Sequence, residues 1–501
     1  MQTVPIKETR ISDSGLEQYF EKFRKNITGI DQTFTGPFGE KKILYADWIA
    51  SGRLYAPIES MMAETIGKYV ANTHTETSFT GLLMTKAYHE AKHIIKKHVN
   101  ANDKDVFIPT GTGMTGAVLK FQRMLGLKVP EQFNNLAKLP EEDCPVVFIT
   151  HMEHHSNQTS WLETVCEVVH IHADGEGLVD VNHLKELMEQ YKNRKVKIAS
   201  VTSCSNVTGI STPYHEVAKV MHANGGLCFV DFACSGPYVD IDMHPEEEGA
   251  YLDAIFFSPH KFLGGPGTPG VLIFNSNLYK NKIPDQPGGG TVSWTNPWGG
   301  HKYFDDIETR EDGGTPGFLQ TIKAALAINL KEEMTTEKIK AREHELVSYV
   351  MNRLGELKGL NILAPNISDR LGAISFYVDD LHYNLCVRLL NDMYGIQVRG
   401  GCSCAGTYGH YLLNVDPDYS HQITDMIDHG DLSAKPGWVR LSLHPTMTDA
   451  DVINICDAIE DIALNHGQYE SDYEYVRSAN EFVHKNFKGT EEQIIKNWFG
   501  K

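Results

Sequence analysis

A chain of 501 residues, 41% hydrophobic and 22% charged, can bury a sizeable core, as one large α/β domain with additions or as roughly two to four domains. Its net charge of −19, from 46 basic and 65 acidic residues, argues against a nucleic-acid partner and against an anionic membrane surface. Nine cysteines, an odd number spread over the length, suit reduced thiols in the cytoplasm better than a disulfide framework.

Met1 to Ser14 is polar and charged and does not read as a signal peptide, and the chain lacks a run of about 18 apolar residues that would predict a membrane span. Strand signals begin at Val106–Pro109. The turn after it, Thr110-Gly111-Thr112-Gly113-Met114-Thr115, opens a helical run. Free N–H groups and the positive end of the helix dipole make Thr112 and Gly113 candidate phosphate ligands, although an ordinary capped helix start has the same pattern. Strand Val146–Thr150 leads into His151-Met152-Glu153-His154-His155-Ser156-Asn157. No further histidine lies at helical ligand spacing, so ring stacking or acid–base work by His154 is favoured over a metal. Helix Val181–Tyr191, strand Ile198–Ser203, the polar turn Ser205-Asn206-Val207-Thr208-Gly209, helix Tyr214–Asn224 and strand Leu227–Phe232 follow. Asp231, near the end of that last apolar strand, needs a cationic or N–H partner.

Strand Ala254–Ser258 runs into Pro259-His260-Lys261 and the glycine turn that follows. A lysine at the end of a buried strand is costly to leave charged and unpaired, and forming a Schiff base is one chemical reason for it to be there. The competing reading is a surface lysine at a strand-to-loop corner. Strand Gly270–Phe274 completes an alternation that reads as βαβ units around a mostly parallel sheet, whose ligands sit beyond the carboxyl ends of the strands. Residues 284–317 are rich in glycine, proline and tryptophan. Helical periodicity returns at Leu319–Lys340 and continues to Leu357, with a domain boundary near Thr335. Strands near Ala373–Tyr377 and Val439–Leu443 and helices near Tyr383–Met393 and Asp449–Leu464 predict a smaller α+β domain. The tail from His466 to Lys501 reads as one or two amphipathic helices. The expected division is an N-terminal arm (1–44), a large cofactor-binding domain (45–334), a small C-terminal domain (335–465) and a helical extension (466–501).

A lysine, an acid, a phosphate-type turn and a ring-stacking histidine on one sheet edge fit pyridoxal 5′-phosphate. Lys261 would bind the cofactor, Asp231 would keep its ring nitrogen protonated, and His154 would stack on the ring. Ser258 and His260, flanking the lysine, would join Thr112 and Gly113 at the phosphate. Here the chain resembles the class V aminotransferase family of fold-type I pyridoxal-phosphate enzymes. Within it the chain is most similar to the branch of cysteine desulfurases that resemble selenocysteine lyases. The resemblance runs from about Tyr45 to Ala463, on Ser258-Pro259-His260-Lys261, Glu153-His154-His155-Ser156-Asn157, Ser205–Gly209 and Asp231. It implies a mostly parallel α/β sheet flanked by helices plus a smaller C-terminal α+β domain, and an α-amino acid substrate.

The resemblance also implies roles for further residues. Asn206 would lie near the cofactor ring and substrate, and Ala50-Ser51 near the substrate carboxylate. Thr291, in Gly288-Gly289-Gly290-Thr291, would reach the phosphate of a partner subunit, implying a homodimer. Arg440 would clamp the substrate α-carboxylate. Arg399-Gly400-Gly401-Cys402-Ser403-Cys404-Ala405 resembles the desulfurase loop, with Cys404 as the nucleophile that takes sulfur as a persulfide, Cys402 two residues away, and a sulfur-acceptor protein as a further partner. An inert loop pair and a metal site with His410 are the other readings of these cysteines. Three features depart from the family pattern: Cys234 where glutamine is common, Thr75 of Asn72-Thr73-His74-Thr75 where arginine is usual, and the long segment 405–439 with its five aspartates. The leading expectation is cysteine desulfurase-type chemistry. The alternative is a class V aminotransferase, lyase or epimerase with Cys404 incidental, and a third is a non-catalytic relative.

Overall fold

The computed structural model describes residues 10–73, 75–136 and 139–500, without the side chains of residues 134–136. The first nine residues of the expected N-terminal arm and His74 of the Asn72–Thr75 turn lie outside them. The described residues form two compact units, one within 50–205 and 211–336, the other within 10–49, 206–210 and 337–500.

The larger unit is built on seven strands: β1 (Asp105–Thr110), β2 (Val146–Thr150), β3 (Glu167–Ile171), β4 (Lys197–Thr202), β5 (Leu227–Asp231), β6 (Ala254–Phe257) and β7 (Gly270–Asn275). Their order is β1-β7-β6-β5-β4-β2-β3. All neighbours are parallel except β7, which runs against both β1 and β6. Strands β2, β4 and β6 are buried at every position, as expected of near-continuous apolar runs in a sheet covered on both faces. Phe121 from helix Met114–Met124 packs against Phe229, Phe256 and Phe274, with ring centroids 5.0 to 6.0 Å apart. The sequence reading lacked β3. It is an edge strand, its Glu-Val-Val-His stretch is only half-buried, and it has no clean alternation to announce it.

The smaller unit carries four antiparallel strands, β8 (Leu360–Ile362), β9 (Ala373–Val378), β10 (Arg399–Gly401) and β11 (Trp438–Ser442), in the order β8-β9-β11-β10. Helix Tyr383–Tyr394 ends on Gly395 at φ +74°, where a Cβ would stand 2.1 Å from the carbonyl of Lys42. Helix Asp449–Asn465 starts on a capping box made by Thr448 and Asp451. The long helical stretch read as Leu319–Leu357 is two helices, Phe318–Met334 and Thr336–Gly355, broken at Thr335 with φ +58°.

The tail differs from the sequence reading. Tyr473–Val476 and Glu481–His484 form an antiparallel hairpin, two single 3-10 turns, His466–Gln468 and Glu470–Asp472, precede it, and among the described residues the one α-helix of the tail is Glu491–Trp498. The reason is local: Tyr-Glu-Tyr-Val and Glu-Phe-Val-His alternate with period two around a turn at Asn480, whose φ of +53° suits asparagine. Segment 405–439 folds as helices Gly406–Leu412 and Pro417–Asp428, with Asp416 capping the second by accepting from Tyr419 N–H at 2.8 Å.

Candidate active site

Strands β1, β2, β5 and β6 of the larger unit deliver polar groups to one sheet edge. Asp231 ends β5 and is 3% exposed, with Oδ1 accepting from the Ala233 N–H at 2.8 Å. Burial raises its pKa to about 6, and the Ala233 N–H and the Lys261 charge offset only part of that shift. Lys261 follows β6 in a single helical turn, Pro259–Lys261, so the next strand brings its charge to Asp231.

The turn after β1 meets the same place. Ser258 Oγ accepts from Met114 N–H at 2.8 Å, tying the start of helix Met114–Met124 to the end of β6. A Cβ on Gly113 would stand 3.2 Å from Ser258 Oγ and 3.5 Å from His260 Nε2, so glycine leaves a small cradle between these groups. Burial, then the charge of Lys261, lowers the pKa of His260 to about 4, which keeps its ring neutral at physiological pH. The turn carrying Ala50 and Ser51 is held here too: Gly52 N–H donates to the His260 carbonyl at 2.9 Å and Ser51 Oγ at 3.4 Å. A cavity of about 630 Å³ opens beside them, lined in part by Ser51, Thr110, Thr112, His260, Thr268 and Gln320.

His154 caps helix His155–Leu162, its Nδ1 accepting from Ser156 N–H at 3.1 Å, which leaves the ring proton on Nε2. Sequence reasoning gave no role to the residue before it. Glu153 is buried, and its Oε1 accepts from Thr150 N–H and Oγ1 and from Thr202 N–H, while Oε2 accepts from Asn157 Nδ2 at 2.8 Å. It therefore ties β2 to β4 one residue before His154. Desolvation raises its pKa to about 7 against the pull of these donors. The available signal was a carboxylate three residues past a fully buried strand.

Cys234 is buried, its Sγ 3.8 Å from Cys204 Sγ and 3.6 Å from the Ser205 carbonyl. Thr291 is also buried, and its hydroxyl donates to the Gly288 carbonyl at 2.6 Å, closing its own glycine turn.

The smaller unit brings together Asn206, Arg440 and the cysteine loop. Arg440, on β11, is 2% exposed. Its Nη2 donates to Asp47 at 2.7 Å and its Nη1 to the Asn206 carbonyl at 3.2 Å. Asn206 Nδ2 donates to the Ser403 carbonyl at 2.7 Å. Arg440 Nε, Asn206 Oδ1 and Ser403 Oγ are buried without a hydrogen-bond partner, an arrangement that asks for a polar ligand. After β10 the chain passes Cys402 and reaches Ser403 and Cys404 at φ +50° and +59°, two consecutive left-handed residues that leave Cys404 exposed between buried neighbours. His410 bonds the Gly406 carbonyl through Nδ1 and Ser420 Oγ through Nε2. Asp47, absent from the sequence-based candidates, is the ion-pair partner of Arg440.

The family model described as aminotransferase class-V matches residues 44–455. A probable cysteine desulfurase of Halalkalibacterium halodurans is 27% identical over 388 residues, covering 77% of this chain and 88% of the relative. One of Staphylococcus epidermidis is 28% identical over 371 residues, covering 73% and 84%. Among solved structures, a cysteine desulfurase of Thermococcus onnurineus superposes with a TM-score of 0.71 at 23% identity, covering 89% of this chain and 98% of its own. The cysteine desulfurase CsdA of Escherichia coli gives 0.69 at 21%, with the same coverage. These two likenesses bear out the expected α/β fold.

Proposed function

This chain belongs to the class V aminotransferase family, and from that premise we propose that it is a pyridoxal-phosphate enzyme that removes sulfur from cysteine. The residues present fit the cofactor. A buried carboxylate with one N–H partner and a raised pKa, Asp231, suits a protonated ring nitrogen, and the Gly113 cradle between Ser258 and His260 suits a phosphate oxygen. Lys261 would hold the cofactor covalently, Asp231 would face its ring nitrogen, His154 would lie against its ring, and Thr112, Gly113, Ser258 and His260 would hold its phosphate. When bound, the cofactor supplies an electron sink for the substrate α-carbon.

The chain's own groups do the rest. Arg440 takes the substrate carboxylate with its unmet Nε donor, and Asn206 lies beside it. The Lys261 amine removes the α-proton, and His154, with its proton on Nε2, donates where a proton is needed. The Cys404 thiolate attacks the substrate sulfur. A sulfur–sulfur bond forms, the Cβ–sulfur bond breaks with its electron pair left on carbon, and protonation of that carbon together with return of the α-proton by Lys261 gives alanine. Cys404 is left as a persulfide for reductant or a sulfur-acceptor protein to discharge.

The observation that carries this reading is Cys404 itself, an exposed thiol held out on a strained left-handed turn at the end of the strand paired with Arg440. Cysteine with holoenzyme and reductant is expected to yield alanine and sulfide in equal amounts, read by chromatography and a sulfide assay. Cys404→Ala should abolish sulfide release, with Cys402→Ala largely active. Release undiminished in Cys404→Ala would leave the cysteine incidental. A homodimer, in which Thr291 serves the partner's phosphate site, and a cytoplasmic setting for nine free cysteines complete the proposal.

A further inference from the structure

The sheet places two arginines face to face. Arg399 on β10 and Arg440 on β11 are direct partners in the antiparallel ladder, so both side chains leave the same face, and like charges set opposite each other repel. Asp47 lies against both, with Oδ1 2.7 Å from Arg440 Nη2 and Oδ2 3.5 Å from Arg399 Nε. The main chain delivers it there. Leu44 and Tyr45 pair in parallel with Ile396 and Gln397, Ala46 N–H donates to the Gln397 carbonyl at 2.9 Å, and the Ala46 carbonyl accepts from Ser442 N–H at 2.7 Å.

The group thus holds two positive charges and one negative, a net of one. The Arg440 side chain is 2% exposed, that of Asp47 16% and that of Arg399 46%. The buried Arg440 Nε donor has no acceptor among the described residues. What is missing is one anionic group. A second acidic group on the same ligand would find its guanidinium already neutralised by Asp47, and would meet that carboxylate as a like charge.

We propose that Asp47 is a positioning residue that sets specificity: by neutralising one of the two guanidinium groups it fits the site to amino acids with a single carboxylate and turns away those with a second acidic group. The proposal rests on Arg440 as the substrate-carboxylate clamp.

The test is competitive inhibition of the holoenzyme by 3-mercaptopropionate, with one carboxylate, and mercaptosuccinate, with two. Asp47→Asn keeps the size of the side chain and an acceptor for Arg440 but removes the charge. It is expected to shift the ratio of the two inhibition constants at least about tenfold toward the diacid, the scale of one close charge pair, and Arg399→Ala added to it should reverse the shift. A ratio unchanged, or both constants weakened in parallel, overturns the proposal, because Asp47 would then serve only to hold Arg440 in place.

If Asp47→Asn yields no folded holoenzyme, Arg399→Ala alone decides. With the arginine gone, Asp47 cancels Arg440, and the monoacid constant should weaken about tenfold; an unchanged constant overturns the proposal. Arg440→Lys separates the two readings. It should weaken both inhibitors if Arg440 is the clamp. If it leaves them unchanged, the clamp reading fails. If it weakens them while Asp47→Asn leaves the ratio alone, only the present inference fails.

Discussion

Asp231 is a carboxylate that the protein alone holds at a cost. Its folded pKa of about 6 lies above the ordinary value, so on raising the pH the unfolded chain releases its proton first. Ligand-free stability should therefore fall as pH rises from about 4 to about 6 and stay lower above that, by on the order of 3 kcal/mol. Asp231→Asn removes the effect. The ligand-free variant should gain more stability over the parent at pH 8 than at pH 5, measured by urea unfolding, while cysteine turnover by the loaded variant drops about 100-fold for want of the charge facing the ring nitrogen. Burial raises the pKa of Glu153 too, but this carboxylate has more partners. Donors converge on both its oxygens, and Glu153→Gln would set an NH₂ group against one of them, at a cost of about 1–3 kcal/mol by the same unfolding measurement. Asp231 was legible in the sequence because an acid at the end of an apolar strand is conspicuous. Glu153 was not given a role, because its donors come from β2, β4 and a helix that meet only in the folded chain.

At the scale of elements, the break between helices Phe318–Met334 and Thr336–Gly355 falls on a β-branched residue with φ +58°. Threonine there carries strain that glycine would not, so Thr335→Gly should stabilise the protein by about 1 kcal/mol, read as a higher urea midpoint with unchanged slope. Continuous helical periodicity hid this break, since the residues on both sides keep the 3.6 spacing. The C-terminal hairpin was hidden for the reverse reason: its period-two alternation lasts only four residues per strand. Asn480 in its turn donates to Tyr383 OH at 2.7 Å, fastening it to helix Tyr383–Tyr394. Asn480→Ala loses both this bond and the left-handed turn, and hydrogen exchange of Tyr473–His484 should rise while that of β2 and β4 is unaffected.

For the whole molecule, no helix among the described residues is long and apolar enough to cross a membrane. The purified protein is expected to carry pyridoxal phosphate, and borohydride reduction should fix the cofactor's mass to the peptide containing Lys261. Lys261→Ala should show no such adduct by mass spectrometry. Sedimentation of the holoenzyme is expected to give a dimer.

The sequence by itself determined the large α/β sheet, because six of its seven strands are short, apolar and bounded by turns. It also picked out Lys261, Asp231, His154 and the Thr112–Gly113 turn, because polar residues after buried strands are costly and stand out one at a time. Only the tertiary structure decided what each of these groups touches. The Gly113 cradle exists because β1 and β6 end at the same sheet edge. Asp47 reaches Arg440 and Arg399 because two distant strands pair residue for residue and the segment at Leu44–Asp47 is laid beside them. Burial and partnership across hundreds of residues depend on close packing in space, and neither periodicity nor spacing along the chain encodes them.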